Sequence, residues 1–433
     1  MKKANTEFVR SRNLILIFFI TILLFNVFRS NVLFYYGLLS TMYLIFFLDY
    51  IKNPRIFILN SAITISYVLL LLFFLLSIVV SFSNLDIPSI LRSMPRMLIM
   101  PLLPLVIYKF LQTEESFRKI LIVYLFLTFI AALSLILQGI IGPISAFGET
   151  SLRAVDSVRY NSIFGSENMY GCIVGSSLII SYFILDKKIL KVLFFLAILV
   201  STIFTLSKAA FLNIFVAFVI IFIFSKNKLF LLISGIILIS LFLYLMTNFT
   251  NNIFSEYFNV VLTILFNINF SENLIINDTG RLTQNIFLRL FGETGFQNFN
   301  IYNFLFGVGL AGGGGVFGLS GETFHATYFT SHNQFYDLVQ IGGFGLLSTF
   351  IILLYVNLQF HIINFRANND MLSKVFILII FISIINMLFN NAFLFHPASS
   401  IMFWISISYA IFKCTYENFN NDTIFLAGKL YNK

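Results

Sequence analysis

An all-helical, polytopic membrane protein follows from three features of the sequence: a charged fraction of 10%, a mean hydropathy of +0.94, and apolar runs that recur along the 433 residues. Soluble domains carry about 25% charged residues, so this chain lies well outside their range. Each run is roughly 17 to 25 residues long, enough to cross a hydrocarbon core of about 30 Å as a helix that satisfies its own backbone hydrogen bonds. The weakly alternating, ten-residue pattern of barrel strands does not occur. Cys172 and Cys414 both fall inside apolar segments, which suggests neither a disulfide framework nor a cysteine-rich metal site.

The first run, residues 14–28, follows Lys2, Lys3, Arg10 and Arg12 as a signal sequence would, but no small-residue cleavage site comes after it. It reads as an uncleaved span. Further spans are expected at residues 32–48, 58–82, 97–111, 120–141, 169–185, 190–206, 209–224 and 229–246, and then at 335–357, 375–393 and 399–414. The total is about twelve transmembrane helices. Residues 1–246 hold spans 1–9, residues 247–333 a long extracytoplasmic (periplasmic) loop domain, residues 334–416 spans 10–12, and residues 417–433 a cytoplasmic tail. Residues 251–273 are apolar but interrupted by Asn and Ser, a pattern suited to an interfacial helix. No internal repeat and no pair of Gly/Pro-broken helices of the transporter kind is detectable.

This parity puts both termini on one side, and the basic residues sort accordingly. Most of the 27 Lys and Arg residues fall on the side of the termini, which makes that side cytoplasmic. The net charge of +9 is thereby an orientation signal, so a nucleic-acid partner is not expected. The type of cation also sorts: the inside set is rich in lysine, whereas the outside set is Arg29, Arg92, Arg96, Arg153, Arg159, Arg281 and Arg289 with the lone Lys208. Topology needs only charge; a planar guanidinium also grips phosphate oxygens bidentately. Snorkelling to outer headgroups would give the same bias.

Five stretches on the outer side carry polar chemistry. Arg159 to Asn168 places an Arg, the Phe164-Gly165 pair and Asn168 at a span entrance, with Arg153 upstream. The turn Ser207-Lys208-Ala209 sets a cation among apolar helices, where charge is costly and usually functional. In the long loop, Asp278-Thr279-Gly280-Arg281 begins a helix with Gly292 as its stop; Arg281, Asn285 and Arg289 share its polar face. An ordinary amphipathic helix with a solvated face has the same pattern. Gly307-Val308-Gly309 and Gly312 to Gly315 form a turn able to present amide hydrogens to an anion, or a simple flexible loop; no P-loop Lys follows.

Finally, Ser331-His332-Asn333 stands where the long loop meets the tenth span, with Ser331 as the expected cap. A neutral imidazole there is placed to act as a general base near neutral pH. His325 lies on no defined element, and His361 and His396 read as structural. The four histidines make no HExxH-like cluster, so metal-assisted chemistry is not expected.

Taken in order, these motifs resemble the bacterial O-antigen polymerase and O-antigen ligase superfamily over roughly residues 159–354. The resemblance is carried by Arg159 with Phe164-Gly165 and Asn168, Ser207-Lys208-Ala209, Gly280-Arg281, the Leu305 to Gly309 run, and His332-Asn333 followed by Gly342 and Gly345. Lys208 stands where the family usually has Arg, and the spacing from His-Asn to the glycines is about one residue short.

The resemblance implies a membrane-embedded, metal-independent glycosyltransferase of the bacterial inner membrane, acting on a polyprenyl-pyrophosphate-linked oligosaccharide and needing no cofactor. Its implied site has His332 as the catalytic base and Arg159, Arg281, Arg289, Arg153, Lys208 and Asn333 as substrate-binding residues. Partners implied are the lipid-linked glycan, membrane lipid and a chain-length regulator. Polymerisation of O-antigen or capsular repeat units is the preferred activity. Ligation of the glycan to a lipid A core is the alternative, and a polysaccharide flippase or other transporter is the rival from another class.

Overall fold

The computed structural model describes residues 17, 20–21, 32–52, 61–83, 85–111, 113–144, 151–152, 158–165, 167–205, 207–225, 301–311, 333–389 and 393–431. These residues are almost all helical. Seven of the helices are long and apolar enough to cross a membrane, and three shorter apolar helices accompany them. Apart from residues 17 and 20–21, the expected span at 14–28 lies outside the described residues, as do the span at 229–246, the interfacial segment at 251–273 and the helix after Asp278, so the full count of about twelve is not on view.

In chain order the elements are α1 (Val32–Lys52), α2 (Ala62–Ser81), α3 (Ile87–Phe110), α4 (Glu114–Ile141), β1 (Ser151–Leu152) and β2 (Val158–Arg159). Then come α5 (Glu167–Ile184), α6 (Lys188–Thr205), α7 (Lys208–Phe224), α8 (Ile301–Phe306), α9 (Gln334–Asn368), α10 (Met371–Phe389) and α11 (Pro397–Tyr431). Helix starts follow ordinary capping chemistry: Ser61 accepts from the Thr64 amide and Thr113 from the Ser116 amide, each satisfying one orphan donor of a first turn.

Three boundaries differ by ten residues or more from the sequence expectation, one of them the end of α9, which runs to Asn368 rather than to 357. The span expected at 97–111 begins ten residues earlier, because α3 runs helically through Pro95, Pro101 and Pro104. Proline removes an amide donor and leaves the carbonyl four residues earlier without its helical partner; α3 is tied to its neighbours by the Tyr67 hydroxyl, which donates to the Pro101 carbonyl at 2.5 Å, and by the Tyr43 hydroxyl, which donates to that of Ile99. At the other end of the chain, α11 does not stop at Cys414 but continues to Tyr431 through the segment read as a tail.

The core is a single apolar cluster in which α5, α10 and α11 are the most enclosed elements, with Ile173, Ile179, Phe376, Ile380, Trp404 and Tyr409 fully buried. By contrast α2 and α4 turn Leu72, Leu75, Val79, Phe126 and Ile141 outward. An apolar outer surface is what lipid requires and water penalises. Within the bundle, small residues let backbones approach: a Cβ on Gly171 of α5 would stand 2.9 Å from the Ala210 amide nitrogen of α7. Buried amides pair across helices, as where Asn213 donates to Asn386 at 2.8 Å.

The helices alternate direction, so their ends gather at two poles. One pole carries the lysines: Arg118 pairs with Asp186 at 3.2 Å, Lys413 with Glu114, and Lys374 donates to the Phe224 carbonyl at 3.1 Å. The other pole holds the entrances of α5, α7, α9 and α11.

Candidate functional site

At that second pole the chain between α4 and α5 is folded inward. Ser151 pairs with Arg159 and Leu152 with Val158 in a short antiparallel ladder. The chain then drops into the bundle, with Tyr160, Asn161, Ser162, Ile163, Phe164 and Gly165 all buried. Buried backbone must be paired, and each link ties this segment to a different helix. The Tyr160 amide donates to the Phe204 carbonyl at the end of α6 at 3.2 Å. Gln138 of α4 donates to the Asn161 carbonyl at 2.9 Å. Ser162 and Gly165 exchange both backbone hydrogen bonds, closing a tight turn that requires Gly165 at φ +129°.

Arg159 thus ends β2 one residue before the bond to α6, and Lys208 opens α7 four residues after Phe204. The α7 entrance is itself held against α5 by the close approach at Gly171. The two basic positions sit on one rim.

The α9 entrance joins the same rim through a bridge that sequence reasoning missed. The Asn333 carboxamide oxygen accepts from the Phe335 and Tyr336 amides at 3.0 and 3.3 Å, so the cap is Asn333 rather than the expected Ser331. Next to it, the fully buried Gln334 accepts from the Leu394 amide at 3.0 Å, and the Leu394 carbonyl accepts from the Trp404 indole at 3.1 Å. Two residues on, the His396 imidazole packs over Gly165, where an added Cβ would lie 3.3 Å from Nε2. The turn at 393–396 therefore fastens the α9 entrance to the α5 entrance. Burial lowers the His396 pKa to about 4, so this imidazole is neutral at ordinary pH and acts as packing.

Helix α9 is not continuous. Gly342 and Gly343 leave helical geometry, and Gly343 adopts φ +66°, ψ −167°, a region open essentially to glycine alone. The expected continuous helix is therefore broken at Gly342 and Gly343, short of Gly345. The break is filled by the chain after α8: a Cβ on Gly343 would stand 2.2 Å from the Leu305 carbonyl, and one on Gly307 2.5 Å from that of Ile341. The Val308 amide donates to the Gln340 carbonyl at 2.7 Å, and the Leu310 amide to the Ser81 hydroxyl of α2 at 2.7 Å. The amides of Gly307 and Val308, in the turn read as either an anion cradle or a flexible loop, are thus engaged within the protein, as is that of Leu310. The half-helix before the break buries Gln334, Asp337 and Gln340, and among the described residues the Gln334 Nε2 and Gln340 Oε1 atoms have no hydrogen-bond partner.

Of the residues expected to form the site, Arg159, Lys208 and Asn333 are brought to one rim by their backbones. His332 directly precedes Asn333 but, with Arg153, Arg281, Arg289, His325 and Gly312 to Gly315, lies outside the described residues. His361 is at the opposite pole, buried between α9, α10 and α11. Such a rim can collect an anionic group at a membrane surface beside a helix entrance. No protein-family model matches the chain, and no curated protein matches it either.

Proposed function

We propose that the protein is a membrane-embedded, metal-independent glycosyltransferase that moves a glycan from a polyprenyl-pyrophosphate carrier to an acceptor hydroxyl, polymerising O-antigen or capsular repeat units on the outer face of a bacterial inner membrane. The observation that carries this reading is the turn at 393–396, which ties the α9 entrance to the segment after Arg159. Base and pyrophosphate site are far apart in sequence, and the mechanism requires them to meet.

In this reading His332 takes the proton of the acceptor hydroxyl. The acceptor oxygen bonds to the anomeric carbon as that carbon's bond to the phosphate oxygen breaks, and the anomeric configuration inverts. The charge that develops on the departing pyrophosphate is held by Arg159 and Arg281 with Arg289, Arg153 and Lys208, in the place of a general acid. Asn333 stands beside the base and fixes where α9 starts. Electrophoresis of surface glycan from a deletion strain tests the reading: single capped repeats mean a lost polymerase, bare core with accumulated polymer a lost ligase, and an unchanged pattern refutes both.

A transporter reading is favoured by one observation, the break in α9 with its buried Gln334, Asp337 and Gln340, because interrupted helices with polar interiors bind cargo in secondary transporters. It predicts carrier-linked repeats trapped on the inner leaflet, where loss of a polymerase leaves them outside.

A further inference from the structure

The outward apolar side chains of the bundle mark where lipid begins and ends. Along α9 they run from Phe344 to Ile363, and nineteen steps of 1.5 Å give a band of about 29 Å, close to the thickness of a hydrocarbon core. On the neighbouring α2 the same outward stripe continues through Leu72, Leu75 and Val79 to Phe82, just past the helix end. Helix α2 is therefore a ruler for the depth of whatever packs against it.

By that ruler the break in α9 lies inside the apolar band. A Cβ on Gly342 would stand 2.7 Å from the Ser77 hydroxyl, so the break is level with Ser77, five residues or about 7 Å short of Phe82. Phe344 is deeper still, and α8 hangs on it: the Phe304 ring stacks on that of Phe344 with centroids 5.7 Å apart. The chain after α8 is fastened to α2 by the Leu310 amide, which donates to the Ser81 hydroxyl at 2.7 Å. Helix α8 thus reaches hydrocarbon depth, although the sequence places it in the extracytoplasmic loop.

Composition and exposure agree with that depth. Residues 301–311 carry no charge, and none of the six residues of α8 is buried. Ile301 is 80% exposed, and Tyr302, Phe304, Leu305 and the adjoining Phe344 are turned out with it. In water so short a helix would be marginal and so apolar a surface a liability. The backbone divides in the same way. Lipid offers no hydrogen-bond partner, so backbone that leaves the α-helix survives at that depth only inside protein. Here the α-helical residues 301–306 are the outward ones, whereas 307–311 are all buried. The Gly307 amide donates to the Asn303 carbonyl at 2.8 Å and the Val308 amide to that of Gln340 at 2.7 Å, as Leu310 does to Ser81. A membrane-inserted segment needs this partition; a loop in water does not.

We propose that residues 301–311 form a re-entrant element of the membrane, and that the outward face of α8 with Phe344 docks the acyl chains of phospholipid in the leaflet at the α9 entrance. The element is too short to cross: six helical residues rise about 9 Å, against a core of about 30 Å. It dips in, wedges the break in α9 from the lipid side and is held there by α2 and α9. Acyl chains packed on α8 therefore support the segment that fills the break.

Photolabelling of the unaltered protein in nanodiscs, with a phospholipid that carries a diazirine in its acyl chain, tests this. Label is expected on residues 301–306 as it is on the outward Leu72 and Val79 of α2. Label on α2 with none on 301–306 overturns the proposal. Ile301→Trp and Phe304→Trp give a second measurement against the single native, buried Trp404. Most of their added emission should be lost in nanodiscs of phospholipid brominated along the acyl chain, and little of it to acrylamide in the water. The reverse pattern overturns the proposal as well. Neither measurement involves glycan transfer, so this inference and the glycosyltransferase reading stand or fall separately.

Discussion

Replacing Gly343 by Ala should loosen the protein, because the break in α9 depends on that residue twice over. Its φ of +66° with ψ −167° is a region that side chains avoid, at a cost of roughly 1–3 kcal/mol. Its Cβ would also come 2.2 Å from the carbonyl carbon and oxygen of Leu305, backbone atoms that must move. Forced displacement in a packed interior costs about 1–3 kcal/mol more, so the substitution should destabilise by about 2–6 kcal/mol. Cys172, 1% exposed on α5, supplies the assay: a thiol-reactive dye added to the detergent-solubilised protein reports unfolding as that residue becomes accessible on heating. Gly343→Ala should melt several degrees lower than the unaltered protein. Gly37→Ala on α1, where an added Cβ meets nothing within 4 Å, should melt within a degree of it. Equal melting of Gly343→Ala and Gly37→Ala would refute the wedged break.

Asn333→Ala removes the α9 cap and should cost about 1 kcal/mol, whereas Asn333→Asp should retain most of it; the same melt separates them. Gln334→Leu leaves the buried Leu394 amide without its acceptor, a loss of about 1–3 kcal/mol, and should raise hydrogen exchange at Leu394 above that in Gln334→Glu, which keeps an acceptor. For His396, the folded state holds its proton less tightly than the unfolded chain. Stability contributed by the neutral ring is complete above about pH 6.5 and falls as pH drops toward 4, by at most about 1.4 kcal/mol per pH unit. His396→Gln should flatten that slope in melts taken between these limits.

The described spans were legible because an apolar run long enough to cross a bilayer declares itself without knowledge of its neighbours. The break at Gly342-Gly343 was not, since the hydrophobic pattern of residues 335–357 continues across it and the cause lies in Leu305 to Gly309, a segment remote in sequence. The α9 cap was misassigned by two residues because Ser and Asn both cap well; the choice falls to whichever side chain reaches the first-turn amides, and Asn333 does. The 393–396 bridge left no local signal at all. Gln334, Leu394 and His396 are ordinary residues that matter only through contacts with Trp404 and Gly165. His361 reads as structural in the sequence, and the structure buries it among α9, α10 and α11 with its ring nitrogens beside Ser373 and the Ser406 carbonyl.

The proposed glycan transfer at the rim, with His332 as base, is put to the test by incubating the purified protein in nanodiscs with polyprenyl-pyrophosphate-linked repeat units and following chain length and carrier release. Ladders of elongated product and free polyprenyl pyrophosphate are expected from the unaltered protein, and neither from a His332→Ala variant that expresses and melts normally. Elongation at an unchanged rate by His332→Ala would contradict it.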